Sequence, residues 1–140
     1  MIALLDTNVL LDMIDRHREN YAKARCIWNV INNKQLNVVV STQAIVDAAY
    51  IYTCRAKMPI SLFRAFVDKL MAVSTICEVT KKDIEVANMS SIPDFEDAVQ
   101  ISCAKNCGCN FIISGDRDFH KYTDIPVYSV PELFSKIFEE

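Results

Sequence analysis

Glycine is nearly missing from this 140-residue chain: only Gly108 and Gly115 occur. Loops that cradle phosphates need several glycines so that backbone N–H groups can approach closely, so dinucleotide-binding and P-loop chemistry are excluded. Long apolar runs are also missing, and none approaches the roughly 20 residues of a membrane span. Met1 leads directly into apolar residues, without the basic region or cleavage site of an export signal, so a cytoplasmic location is expected. A basic excess is absent too, with 15 Lys and Arg against 18 Asp and Glu and a net charge of −3. That argues against a passive binder of the nucleic-acid backbone, whose affinity rests on many cationic contacts. It leaves open an enzyme that holds phosphates through metal ions. No linker, tandem repeat or low-complexity segment appears.

What is present is a chain with 51% hydrophobic and 24% charged residues, the balance of a globular protein that buries one core. We read residues 1–140 as a single domain. The six cysteines, Cys26, Cys54, Cys77, Cys103, Cys107 and Cys109, fall mostly within apolar helical or strand patterns, so they are expected to be reduced and mostly buried. The C-x3-C-x-C run from Cys103 to Cys109 has no histidine beside it and does not have the spacing of a common zinc site.

The pattern opens with Ile2-Ala-Leu-Leu5, four apolar residues that read as a strand buried on both faces. Asp6 follows where that pattern stops, and Val9, Leu10, Met13 and Ile14 recur at helical spacing. Asp6, Thr7 and Asn8 thus lie in a strand-to-helix turn, either as caps of the helix or at the edge where open α/β sheets bind ligands. A polar stretch, Asp15 to Asn20, contains the basic triplet Arg16-His-Arg18, read as solvated surface with RNA contact as the alternative. An amphipathic helix spans Tyr21 to Ile31. Asn37-Val-Val-Val-Ser-Thr42 repeats the strand–hydroxyl–helix pattern, with Ser41 or Thr42 as cap and Asp47 one turn into the helix. Ser61 is the expected cap of a helix carrying Leu62, Phe63, Phe66, Val67 and Leu70, a face read as core or as a dimer or partner surface. A strand over Ser74–Val79 and a short helix over Lys81–Asn88 follow.

Pro93-Asp-Phe-Glu-Asp97 opens the next helix. Asp94 stands where an N-cap belongs, and Asp97 either closes a capping box or points inward beside Ala98 and Ile101. Gly108 ends that helix. Asn110–Ser114 is a strand that leads into Gly115-Asp-Arg-Asp118, and Pro126–Val130 and Pro131–Phe138 supply a last strand and helix. Strands alternating with helices imply an α/β fold: a mostly parallel sheet of about four to five strands, with helices on both faces. All strand carboxyl ends then point to one edge. Asp6, Ser41, Ser114 and Asp116 are carried there, and Asp47 and Asp97 reach it from helix starts. Such a cluster of like charges calls for a cation, and oxygen ligands without His or Cys suit Mg²⁺ or Mn²⁺.

Leu5-Asp-Thr-Asn-Val-Leu-Leu-Asp12, Ser41-Thr42 with Asp47, Asp94-Phe-Glu-Asp-Ala98 and Ile113-Ser-Gly-Asp-Arg-Asp-Phe119 resemble, in order and spacing, the PIN domain across the whole chain. The resemblance implies a PIN-like α/β fold, a Mg²⁺- or Mn²⁺-dependent ribonuclease acting on RNA phosphodiesters, and a VapC-like toxin of a type II toxin–antitoxin pair. A cognate antitoxin and a homodimer are the implied partners. It implies metal-binding carboxylates at Asp6, Asp97 and Asp116, with Asp47 at the second acidic position, where the family usually has Glu. Asn8 and Ser114 would position acids or water, and Asp118 would be an additional acid. Arg117 and Lys121 flank the last acid, as substrate-backbone contacts or as solvated surface. The alternatives are a catalytically silent PIN-like scaffold that binds RNA or protein, an RNA-processing nuclease that is not a toxin, and a small-molecule phosphohydrolase.

Overall fold

The computed structural model describes residues 1–116 and 118–140. Its centre is β1 (Ile2–Leu5), joined by β2 (Asn37–Ser41), β3 (Ser74–Cys77), β4 (Phe111–Ile113) and β5 (Val127–Tyr128) in a sheet of order β3-β2-β1-β4-β5. Every pairing is parallel, and Leu4 lies beside Val39 on one side and Ile112 on the other. The continuous apolar character of β1 follows from this placement, because a central strand of a parallel sheet has helices over both faces. Ala3 and Leu5 face a layer built from α1 (Thr7–Ile14), α2 (Tyr21–Asn32), α3 (Thr42–Tyr50), α4 (Ile60–Val73) and α7 (Val130–Phe138). Leu4 faces the opposite layer, formed by α5 (Lys81–Met89) and α6 (Phe95–Asn106). No helix among the described residues is long and apolar enough to cross a membrane.

Local chemistry explains the boundaries. Ser41 caps α3 by accepting the Ala44 N–H at 3.0 Å, and Gly108, at φ +63°, follows the end of α6 as a helix-terminating glycine. Ser61 does not cap α4. That helix starts two residues earlier than a Ser61 cap implies, at Ile60, directly after Pro59, whose fixed φ of −63° makes the entry without a side-chain cap. α3 runs on into a π-helical segment, Ile51–Arg55, which the 3.6-residue periodicity did not foretell. The face of α4 divides: Phe63, Phe66 and Leu70 enter the core, while Leu62 and Met71 stay exposed. All six cysteines are free, but only Cys77 and Cys103 are buried; Cys26, Cys107 and Cys109 are half-buried and Cys54 is exposed, so the expectation that most are buried is corrected. Burial pushes the Cys77, Cys107 and Cys109 thiols up to about 11, so they stay protonated near neutral pH.

The smaller helical layer is tied down by a buried carboxylate. Asp83 forms a capping box with Thr80 and accepts bonds from Ser102 Oγ (2.7 Å) and Asn106 Nδ2 (2.8 Å) of α6. Burial opposes its ionisation, but the donors of Thr80, Ser102 and Asn106 outweigh burial and hold the carboxyl below its usual range. Asp83→Ala leaves those donors unmatched and is expected to cost about 2–4 kcal/mol in urea unfolding near neutral pH. Because the folded pKa is lowered, this contribution is present above the usual carboxylate pKa and fades as pH falls through the folded value. The gap between parent and variant should therefore close in acid.

Candidate active site

In the sheet, β2 and β3 lie to one side of β1, and β4 and β5 to the other. The loops after β1 and β4 therefore run in opposite directions and open a crevice at their carboxyl ends. Asp6 leaves β1 at that point, 6% exposed, with its N–H donating to the Ile113 carbonyl of β4 at 3.1 Å. Its two carboxylate oxygens do different work. Oδ1 accepts the Thr7 N–H at 2.8 Å and caps α1, while Oδ2 accepts the Ser114 hydroxyl at 2.8 Å. The cap and the edge position, alternatives on sequence grounds, are thus one arrangement. The same Ser114 oxygen accepts the Asp116 N–H at 3.1 Å, and Asp116 Oδ1 accepts the Asp118 N–H at 2.9 Å.

Asp97 arrives from the other helical layer. Asp94 takes the N-cap role by accepting the Asp97 N–H at 3.1 Å, leaving the Asp97 carboxyl, 8% exposed, to face Asp116. Burial, then the charge of Asp94, the hydrogen bond to Asp116 and the charges of Asp116 and Asp6 push Asp97 up to about 7. Burial also raises Asp6, against the bonds from Ser114 and Thr7. Asp47 stands at the periphery: it accepts a bond from Gln43 of its own helix at 2.9 Å and lines a groove of about 290 Å³ with Thr7, Asn8 and Glu96. Asp6, Asp97 and Asp116 therefore come together, whereas Asp47 faces Glu96.

Asn8 is exposed, and its Oδ1 accepts from Arg18 Nη2 at 3.2 Å, while Arg18 Nε donates to Asp12 at 2.7 Å. One residue of the triplet read as solvated surface thus braces α1 beside the crevice. Lys121 pairs with Asp118 at 2.9 Å and both are exposed; Arg117 lies outside the described residues. Glu96 was not singled out from sequence. Its carboxylate accepts the Thr7 hydroxyl at 3.2 Å, and burial together with the charges of Asp47 and Asp6 raises its pKa. Adjacent helical residues point about 100° apart, so the presence of Asp97 beside it said nothing of its direction.

The family model of the PIN domain matches residues 3–118. The chain belongs to the PIN domain family. Ribonuclease VapC1 of Aquifex aeolicus (strain VF5) is 25% identical to it over 143 residues, 92% of this chain and 90% of that protein. The crystal structure of VapC20 from Mycobacterium tuberculosis, described as a sarcin-ricin loop cleaving toxin, superposes with a TM-score of 0.70 at 16% identity, covering 89% of this chain and 98% of that one. VapBC2 of Rickettsia felis, solved with a DNA fragment from its promoter, gives 0.60 at 17% identity over 92% and 98% of the two chains. At such identities these structures speak for the fold.

Among the described residues of this PIN domain, no three His, Cys, Asp or Glu side chains are grouped so that they could hold a metal ion. The donor chemistry nonetheless fits a hard divalent cation. The crevice offers carboxylate oxygens, one of them, Asp6 Oδ2, anchored by the Ser114 hydroxyl, and the crowding of negative charge favours a proton on Asp97 where a cation would serve.

That crowding has a measurable cost. A carboxyl raised to about 7 is charged at pH 8 only against its neighbours, and the penalty builds up between the unfolded and the folded pKa. Without divalent ions, Asp97→Asn is expected to stabilise the fold at pH 8 by about 1–3 kcal/mol. The gain should vanish near pH 4, where the carboxyl is neutral; thermal unfolding at the two pH values checks this.

Proposed function

We propose that this PIN domain is an endoribonuclease that hydrolyses RNA phosphodiesters with Mg²⁺ or Mn²⁺, and that it acts as a VapC-like toxin held in check by a small antitoxin protein. The observation that carries this reading is the meeting of Asp6, Asp97 and Asp116 at the switch point of the sheet, with Ser114 bonded to two of them. Membership of the family and the 25% likeness to a ribonuclease along nearly the whole chain support it. The name VapBC2 of one structural neighbour supports the antitoxin.

In this reading Asp6, Asp97 and Asp116 hold the cation. When bound, it supplies the positive charge that offsets charge developing on the phosphate, and it makes water a better nucleophile. The protein's own part is to keep those oxygens in place. Ser114 fixes Asp6 and supports the backbone of Asp116, and the Asp118 N–H holds the Asp116 carboxylate from the other side. Asn8, steadied by Arg18, presents an amide at the rim. The buried floor of β1 and β4 gives the carboxylates little freedom to swing. Asp47 adds negative charge at the edge of the groove, and Lys121 and Arg117 flank the last acid as contacts for the RNA backbone.

Cleavage of structured and unstructured RNA with Mn²⁺ or Mg²⁺ tests the reading. The parent is expected to cut, to stop in a chelator, and to lose about a hundredfold or more in rate on Asp6→Asn or Asp97→Asn with the fold intact. Equal inertness of parent and variants, with no ion binding by calorimetry, would leave a silent scaffold. A second expectation concerns the toxin: expression in a bacterial host should arrest growth, and Asp6→Asn should relieve the arrest. Unimpaired growth with an active enzyme would point to an RNA-processing role.

A further inference from the structure

The helical run that follows β2 changes its winding beside the crevice. α3 ends at Tyr50, and Ile51–Arg55 continue as a π-helix, in which the Ala56 N–H donates to the Ile51 carbonyl at 2.9 Å. On an α-helix, side chains five positions apart point about 140° away from each other. The wider i→i+5 winding brings them to one face. Tyr50 and Arg55 are five apart, and the Arg55 guanidinium lies over the Tyr50 ring, 5.9 Å from its centroid. The π-helical run thus assembles an aromatic ring and a cation that a continued α-helix would have separated.

This pair is turned toward solvent and toward the crevice. Tyr50 is 57% exposed and Val46, one turn before it on α3, is 64% exposed; neither packs into the two core clusters. Arg55 is exposed, and among the described residues no carboxylate pairs with it. Tyr50 and Arg55 line the groove of about 290 Å³ that Thr7 and Asn8 also line, and the Thr7 N–H holds Asp6, so pair and crevice share one continuous surface. Charge is divided along that groove. Asp47 and Glu96 make one part acidic, and Arg55 is the only cation among the described residues lining it. An open aromatic face with a guanidinium beside it suits an unpaired nucleobase, which stacks on the ring while its phosphate meets the cation. A duplex keeps its base faces covered by their neighbours.

We propose that Tyr50 and Arg55 form a stacking platform for an unpaired base of the RNA, holding a single-stranded segment next to the carboxylate crevice. The inference rests on RNA being the substrate and adds the form of RNA that fits. Asp47 and Glu96 repel phosphate, so the backbone passes on the Arg55 side while the base lies on Tyr50.

The test is RNA binding by the full chain in EDTA, where metal-dependent cutting is suppressed, read by fluorescence anisotropy. The probes are a labelled unstructured oligoribonucleotide, a blunt RNA duplex of the same length, and the single strand made abasic. The proteins are the parent, Tyr50→Phe, Tyr50→Ala and Arg55→Gln, with far-UV circular dichroism to check folding and light scattering to follow oligomeric state. Tyr50→Ala is expected to weaken single-strand binding about tenfold and duplex binding less than about twofold, while Tyr50→Phe stays within about twofold of the parent. The abasic strand should not distinguish parent from Tyr50→Ala. Arg55→Gln should lower the slope of log affinity against log salt by about 0.7. No single-strand binding by the parent, parent-like binding by Tyr50→Ala, or an equal loss on the duplex overturns the platform. A parent dimer that Tyr50→Ala dissociates also overturns it, marking the pair as a contact between copies of the chain. Mn²⁺-dependent cleavage without any dependence of binding on Tyr50 would leave the nuclease reading standing alone. Binding that depends on Tyr50, without cleavage, would keep the platform and remove the nuclease.

Discussion

Negative charge gathered at one edge of a hydrophobic sheet is the constraint around which the rest of this structure is arranged. Carboxylates repel, and burial makes the charged form costlier, so nothing in folding alone favours Asp6, Asp97 and Asp116 as neighbours. Hydrogen bonds to Asp6 and Asp116 offset part of that cost, and burial with the crowding of charge pushes Asp97 up to about 7. Under the proposed function, a cation bound there would relieve that repulsion.

The scaffold supplies the rigidity that such crowding requires. β1 and β4 pair along Ala3–Leu5 and Phe111–Ile113, and their inward residues are almost fully buried, so Asp6 and Ser114 leave a fixed platform. Asp97 comes from the other layer, whose helices are joined through Asp83, Ser102 and Asn106. A polar network far along α6 thus helps hold the helix whose first turn carries Asp97 and Glu96. Buried polar groups that are fully paired fix a packing arrangement more sharply than apolar contacts do.

Ser114 and Thr7 show how one side chain serves both fold and site. Ser114 spans the gap between two acids that the sequence separates by more than a hundred positions. Thr7 starts α1, gives its N–H to Asp6 and its hydroxyl to Glu96. Neither role depends on charge, so both persist whether or not the acids are ionised.

Alternation of apolar strands with amphipathic helices by itself determined the parallel α/β architecture, because backbone hydrogen bonding and two-sided burial leave few other arrangements for such a pattern. It also carried Asp6, Ser114 and Asp116 to one edge, since every parallel strand ends there. Local rules went further at Ser41, Asp94 and Gly108, whose capping and helix-ending roles depend only on near neighbours. The directions of long side chains were decided by tertiary structure alone. Arg18 turned from solvent to Asp12 and Asn8, and Glu96 crossed to Thr7, because each choice depends on a partner presented by another element, whereas Asp47 stayed with Gln43 one turn away on its own helix. The start of α4 at Ile60 was set locally by Pro59, and the π-helical run after α3 lies outside what a 3.6-residue period describes.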